Sequence, residues 1–160
     1  MNNNFSRQIK EVISLSREEA VRLGSDHIGT GHLLLGLIKE DHNTAVTILK
    51  GFDIELEGLK KEVEECIEAA KEGPHNNNVR IPGIFKFFST TNRALPLDKQ
   101  AEKVIRESVI EAKDTKSRTV EPEHLMLSIL KNAEDMGAMI RSRYNVDYNK
   151  AILQLRQGHS

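Results

Sequence analysis

The chain is short of cysteine. Its single thiol, Cys66, excludes an internal disulfide and fits a reducing compartment. Cys66 falls on an apolar helical stripe, where it reads as a small buried hydrophobe rather than a reactive group. A charge excess is missing too. Lys plus Arg number 23 against 24 Asp plus Glu, a formal net charge of −1. That balance gives no general reason to expect nucleic acid or an anionic membrane as partner. No apolar run approaches the roughly 20 residues that span a bilayer, and residues 1–6 hold no apolar signal core. The expectation is a soluble, cytoplasmic protein.

The motifs of common chemistries are also missing. There is no G-x-x-x-x-G-K-[ST] loop to cradle phosphates and no G-x-G-x-x-G turn, so no nucleotide site is legible. The chain alone is expected neither to bind nor to hydrolyse ATP. The six histidines form no ligand set. His27 and His32 lack a third ligand, and no H-E-x-x-H occurs, so no metal is expected. Nothing marks a nucleophile elbow. Residues 17–38 give a helix–turn–helix reading, but the loop is long for that motif and acids match the bases.

What is present centres on residues 28–38, Ile-Gly-Thr-Gly-His-Leu-Leu-Leu-Gly-Leu-Ile. Thr30 is placed as an N-cap, its hydroxyl accepting from an unpaired first-turn amide. Leu33, Leu34, Leu35, Leu37 and Ile38 leave almost no polar face, which predicts a helix buried on most sides. The stretch returns at residues 120–130, with Pro122 in place of Thr30 and suited to a first helical turn. From His32 to His124 the shift is 92 positions. The shift holds outward without a gap: Phe5, Val12, Ile13, Ser16 and Ala20 fall on Leu97, Val104, Ile105, Ser108 and Ala112. Ile48, Phe52 and Ile54 fall on Ile140, Tyr144 and Val146. Such self-similarity means two copies of one helical unit. His32 and His124, at equivalent helix starts, read as structural histidines bonded to nearby backbone.

In order, Phe5, Ile9, Val12, Ile13, Ser16, Ala20 and Leu23 make one amphipathic face, capped by Ser6 and ended by Gly24 in the left-handed conformation. The buried helix runs to about Glu40. Asp41 or Asn43 caps a short third helix closed by Gly51. A fourth carries Leu56, Leu59, Val63, Cys66, Ile67 and Ala70 behind a glutamate-rich outer face, with Lys60 and Lys61 as i, i+3 and i, i+4 partners. The second copy opens at Asp98, an N-cap. No glycine follows Lys113-Asp114, so that turn is expected to differ from the first. The buried helix spans about 122–132, a short helix holds Met136, Met139 and Ile140, and Asp147 caps a last helix through Leu155. Residues 157–160 read as a frayed end.

Residues 73–96 break the pattern with Gly73-Pro74, three asparagines, Pro82-Gly83 and Pro96, around an Ile-Phe-Lys-Phe-Phe knot that holds three of the five phenylalanines. An insert of this length is expected to be mobile in part and cut first by protease, with the aromatic knot packed back onto the helices or exposed as a partner site. The fold class is therefore all-α: two pseudo-symmetric four-helix repeats, about eight helices, with 1–72 as first repeat, 73–96 as insert or linker and 97–160 as second repeat, in one compact pseudo-twofold domain.

Phe-Ser-Arg-Gln at the start of the unit and Ile-Gly-Thr-Gly-His-Leu-Leu-Leu-Gly-Leu in its second helix resemble the Clp N-terminal repeat domain, which fronts ClpC- and ClpA-type AAA+ unfoldases. The resemblance covers both halves, residues 5–67 and 97–155, although the insert is longer than the family's. It implies a non-enzymatic docking domain that receives adaptor proteins or marked substrates for an ATPase ring feeding a partner peptidase. ATP would belong to modules that these residues do not contain, and this chain would carry no cofactor. Either a fragment of an unfoldase or a free-standing repeat protein competing for its partners fits the sequence. An enzyme with scattered site residues is the competing class.

The resemblance also implies a ligand. Some ClpC-type relatives recognise phosphorylated arginine, one site per repeat, with the glutamate of G-T-E-H on the guanidinium and a threonine at the first helix start on the phosphate. The glutamate positions here are Gly31 and Glu123, and the threonine positions are Ser6 and Asp98. Paired repeat by repeat, the first site keeps a hydroxyl and loses the carboxylate, and the second keeps the carboxylate but sets another where phosphate would sit. Phosphoarginine is then expected to bind at about millimolar or worse, with the second site favouring an unmodified arginine or lysine. Glu123 and Asp98 read equally as helix-start acids.

Overall fold

The computed structural model describes residues 4–71, 95–132 and 136–158. Among them are eight helices: α1 (Arg7–Arg22), α2 (Thr30–Glu40), α3 (Thr44–Gly51), α4 (Leu56–Lys71), α5 (Lys99–Asp114), α6 (Pro122–Lys131), α7 (Met136–Tyr144) and α8 (Tyr148–Gly158). All but residues 95 and 96 of the 73–96 insert lie outside the described residues, and so do the expectations of mobility and of an aromatic knot placed on them.

Apolar burial sets the arrangement. α2 and α6 sit at the centre of the two halves and pack on each other. α2 also touches α1, α3, α4 and α5, while α6 touches α5, α7, α8, α3 and α1. Leu33, Leu34, Leu35 and Leu37 of α2, with Leu125, Met126, Leu127 and Ile129 of α6, are buried in one continuous core. Two helices without a polar face can be satisfied only by neighbours on several sides. Cys66 packs half-buried against this core.

Local chemistry sets the boundaries. Ser6 Oγ accepts from Ile9 N–H at 3.1 Å, and Asp98 Oδ1 from Ala101 N–H at 2.8 Å. Asn43, not Asp41, caps α3, accepting from Val46 N–H at 2.9 Å. Asp41 instead closes α2 in the left-handed conformation (φ 47°). Gly51 ends α3 from inside the helix, and the left-handed residue beyond it is Asp53. Asp147 Oδ1 accepts from Asn149 N–H at 3.1 Å at the start of α8. That helix runs through Gln157 to Gly158, where fraying was expected. One turn expected to differ does not. Gly24 has φ +72°, and its equivalent Lys116 takes φ +61° in the same turn. A lysine in this region carries a strain that glycine avoids, and here it accompanies the same helix-closing backbone bonds, Ser117 N–H to the Ala112 carbonyl and Ser25 N–H to that of Ala20.

The halves are related by a pseudo-twofold, and their entry segments are exchanged across it. Phe5 pairs in parallel with Val120, and Leu97 with Ile28. Ser6 N–H donates to the Val120 carbonyl (3.1 Å) and Val120 N–H to that of Asn4 (2.8 Å). Asp98 N–H donates to the Ile28 carbonyl (3.0 Å) and Ile28 N–H to that of Pro96 (2.8 Å). The residues entering each half's first helix thus bond to the loop before the other half's buried helix.

Candidate functional site

The exchange changes how the candidate residues meet. Ser6 lies beside the start of α6, whose second residue is Glu123, and Asp98 lies beside the start of α2, whose second residue is Gly31. Sequence reasoning paired Ser6 with Gly31 and Asp98 with Glu123 inside each repeat. The backbone instead groups Ser6 with Glu123 and Asp98 with Gly31. A fixed shift reveals which positions are equivalent but not which half each one touches.

At both edges the helix start is built by a histidine. His32 Nδ1 accepts from Gly29 N–H at 2.9 Å, and His124 Nδ1 from Glu121 N–H at 2.9 Å. With Nδ1 accepting, Nε2 carries the proton and donates, in His32 to Ser25 Oγ (3.1 Å) and in His124 to Thr115 Oγ1 (2.9 Å). These imidazoles do the work of the capping-box glutamate. The N-cap residues are therefore Gly29 and Glu121, and Thr30, expected to be the cap, is the first helical residue.

Burial pushes the His32 imidazole down to about 4, helped by nearby His27, whose ring stands edge-on at 6.3 Å. The native state holds this ring neutral while the unfolded chain takes a proton near 6.5. Its contribution to stability is complete above pH 6.5 and is lost as pH falls from 6.5 towards 4. The expected loss is about 3 kcal/mol at most. Urea unfolding of the wild type and of His32→Gln between pH 7 and 4 checks this. The stability difference between the two should shrink as pH falls, and a difference constant with pH would sink the assignment.

The edges differ in chemistry. Beside Gly31 there is no room: a Cβ there would stand 2.9 Å from Ile67 Cγ1 and 3.6 Å from Val63 Cγ1. A glutamate at 31 would have to displace Ile67. Asp98, besides capping α5, sets Oδ2 3.6 Å from His27 Nε2 and 3.0 Å from where a Gly29 Cβ would stand, and His27 Nδ1 is 2.8 Å from Asp26 Oδ1. At the other edge Glu123 is buried at 6% exposure, Ser6 is half-buried, and Glu121 accepts from Thr119 Oγ1 at 2.5 Å. Asp26 and Glu121 are not singled out by the sequence, and His27 enters there only as a histidine without a full metal-ligand set. Only their place beside the exchanged segments draws them in.

No group of three or more His, Cys, Asp or Glu side chains among the described residues can hold a metal. No described helix is long and apolar enough to cross a membrane.

With this geometry in view, the profile of the family described as the Clp repeat (R) N-terminal domain matches residues 4–139. The chain belongs to that family. It is 30% identical over 157 residues to the chaperone protein ClpB of Oceanobacillus iheyensis and 32% identical over 157 residues to the negative regulator of genetic competence ClpC/MecB of Bacillus subtilis. Each alignment takes in 98% of this chain and 17% of the relative, so the chain spans about a sixth of the length of those proteins. The N-terminal domain of the chaperone ClpD from Arabidopsis thaliana superposes with a TM-score of 0.65 at 21% identity, covering 96% of this chain and 95% of that one. A chain from work on a malarial protein secretion system superposes with a TM-score of 0.73 at 14% identity, covering 98% and 95%. Both establish the fold.

Proposed function

We propose that this chain is the adaptor- and substrate-docking domain of a Clp AAA+ unfoldase that hands proteins to a partner peptidase. The observation that carries this is the exchanged edge. There the capping hydroxyl at the N-terminus of α1, Ser6, stands beside a helix start bearing the buried carboxylate of Glu123. A carboxylate suits the guanidinium fork of arginine, and a helix N-terminus with a hydroxyl suits an anion attached to it. The opposite edge offers Asp98 where the anion would lie and, at Gly31, no carboxylate at all. Adaptors and protein substrates are the partners in this reading; nucleic acid and membranes are not. The chain performs no chemistry and holds no cofactor, ATP being the business of other modules of the parent.

Titration calorimetry with phosphoarginine and with arginine-bearing peptides tests the reading. Weak binding, on the order of millimolar for free phosphoarginine, is expected, abolished by Glu123→Gln and kept by Asp98→Asn, which preserves the α5 cap. Micromolar phosphoarginine binding that survives Glu123→Gln would overturn it.

A further inference from the structure

Each half carries one buried glutamate between its first two helices, and the 92-residue shift makes them equivalent: Glu19 and Glu111. Each is met by the equivalent lysine at the end of the buried helix. Lys39 Nζ is 3.2 Å from Glu19 Oε2, and Lys131 Nζ is 2.9 Å from Glu111 Oε2. There the likeness stops. Glu19 has a second cation, Arg22, at 2.6 Å, which also reaches Glu64 of α4. The equivalent of Arg22 is Asp114, so the second half carries an acid at the position from which a base meets Glu19 in the first. Among the described residues, Lys131 is the cation paired with Glu111, and the carboxylates of Asp114 and Glu107 act on the same ammonium. Tyr148 Oη of α8 donates to Glu111 Oε1 at 2.5 Å, and Lys131 Nζ lies 5.1 Å from the centre of the Tyr148 ring. α5, α6 and α8 therefore meet at one carboxylate whose compensating charge sits on one side chain.

We propose that Lys131 is a charge-controlled latch of the second half, the point at which N-acylation of a lysine would release α5, α6 and α8 from one another, whereas acylation of Lys39 is absorbed by Arg22. Removing one member of a buried ion pair strands the other, and the cost falls on the buried partner. Glu111 is the buried partner, with a side chain 2% exposed. The Lys131 side chain is 47% exposed and within reach of a reagent. The hydrogen bond that the ammonium donates to Glu111 holds it above the ordinary lysine range, so an enzyme's base must first take a proton. The freed amine attacks the carbonyl carbon of an acyl thioester, the C–N bond forms, the C–S bond breaks and the thiol leaves with the proton. The product is a neutral amide that can no longer balance Glu111. α6 also carries Glu123, so release of the latch loosens the docking edge, but the latch itself does not depend on the docking reading.

The test uses the full chain with Nε-acetyllysine installed at 131 or at 39, beside Lys131→Gln and Lys39→Gln. Acetylation or glutamine at 131 is expected to lower Tm by roughly 5–10 °C and to strip hydrogen-exchange protection from α5, α6 and α8, while the changes at 39 move Tm by about 2 °C or less. Lys131→Arg should keep the wild-type Tm. Glu111→Gln combined with Lys131→Gln should recover much of the loss, because a neutral amide can take the Tyr148 hydrogen bond without a counter-charge. Equal losses at 39 and 131, or no recovery in the double variant, would overturn the proposal.

Discussion

Gly36→Ala should destabilise the protein by roughly 2–3 kcal/mol and Gly36→Val by roughly 3–5 kcal/mol. At an exposed helical position glycine to alanine stabilises by about 1 kcal/mol, so the sign alone separates the two accounts. The reason lies in the α1–α2 crossing, the most extensive helix interface among the described residues. A Cβ at position 36 would stand 2.3 Å from Ser16 Oγ, 2.5 Å from the Val12 carbonyl oxygen and 3.0 Å from Ser16 N. Two of these are backbone atoms that no rotamer change removes, so the helices must part and surrender contacts along their length. The equivalent residue in the second half is Ser128, whose hydroxyl donates to the carbonyl of Val104 at 2.7 Å. Ser128→Ala keeps the Cβ already accommodated and should cost only about 1 kcal/mol, the worth of one hydrogen bond. Urea unfolding of the three variants measures all of this. A stabilising Gly36→Ala would show that the helices do not approach as closely as described.

Leu35→Ala and Leu127→Ala should each cost roughly 2–5 kcal/mol. Both side chains are buried at equivalent places in the central helices, with exposures of 2% and 0%. Truncation removes apolar atoms from water-free contact and leaves a cavity that close-packed neighbours on several helices fill only in part. Set against a usual domain stability of about 5–15 kcal/mol, the double variant should lose a large part of its stability and unfold at much lower urea. Circular dichroism at 222 nm through a urea series reads both. A cost under about 1 kcal/mol at either site would remove that residue from the core.

Much of the frame was legible in the sequence, and for local reasons. Ser6, Asn43, Asp98 and Asp147 cap the helices they precede, because a short oxygen side chain finds amides only a few residues away. The apolar steps of α1 and α5 and the unbroken leucine run of α2 specify which faces must be covered. The histidines were read as structural, and the bonds to Gly29 and Glu121 N–H are of that kind. Misreadings came where two local solutions competed. Thr30 has the composition of a cap, but it is already helical, and His32 accepts from the N–H of Gly29 just before it, which makes Gly29 the cap. Lys116 has no preference for a left-handed turn, yet it closes its helix with the same backbone bonds as Gly24: Ser117 N–H donates to the Ala112 carbonyl as Ser25 N–H does to that of Ala20.

By itself, then, the sequence determined the helical class, the order of the helices, the faces they bury and the equivalence of the two halves, because each of these follows from residue type and spacing within a few turns of chain. Only the tertiary structure decided which half each edge belongs to. The entry segments before α1 and α5 bond across the pseudo-twofold to Val120 and Ile28. Two halves with the same apolar pattern offer equally good partners within a repeat and between repeats, and periodicity cannot distinguish them. The choice is made by long-range backbone hydrogen bonds and by the packing of α2 on α6. That choice sets Ser6 beside the helix start that bears Glu123 and Asp98 beside the start of α2, where Ile67 occupies the space next to Gly31.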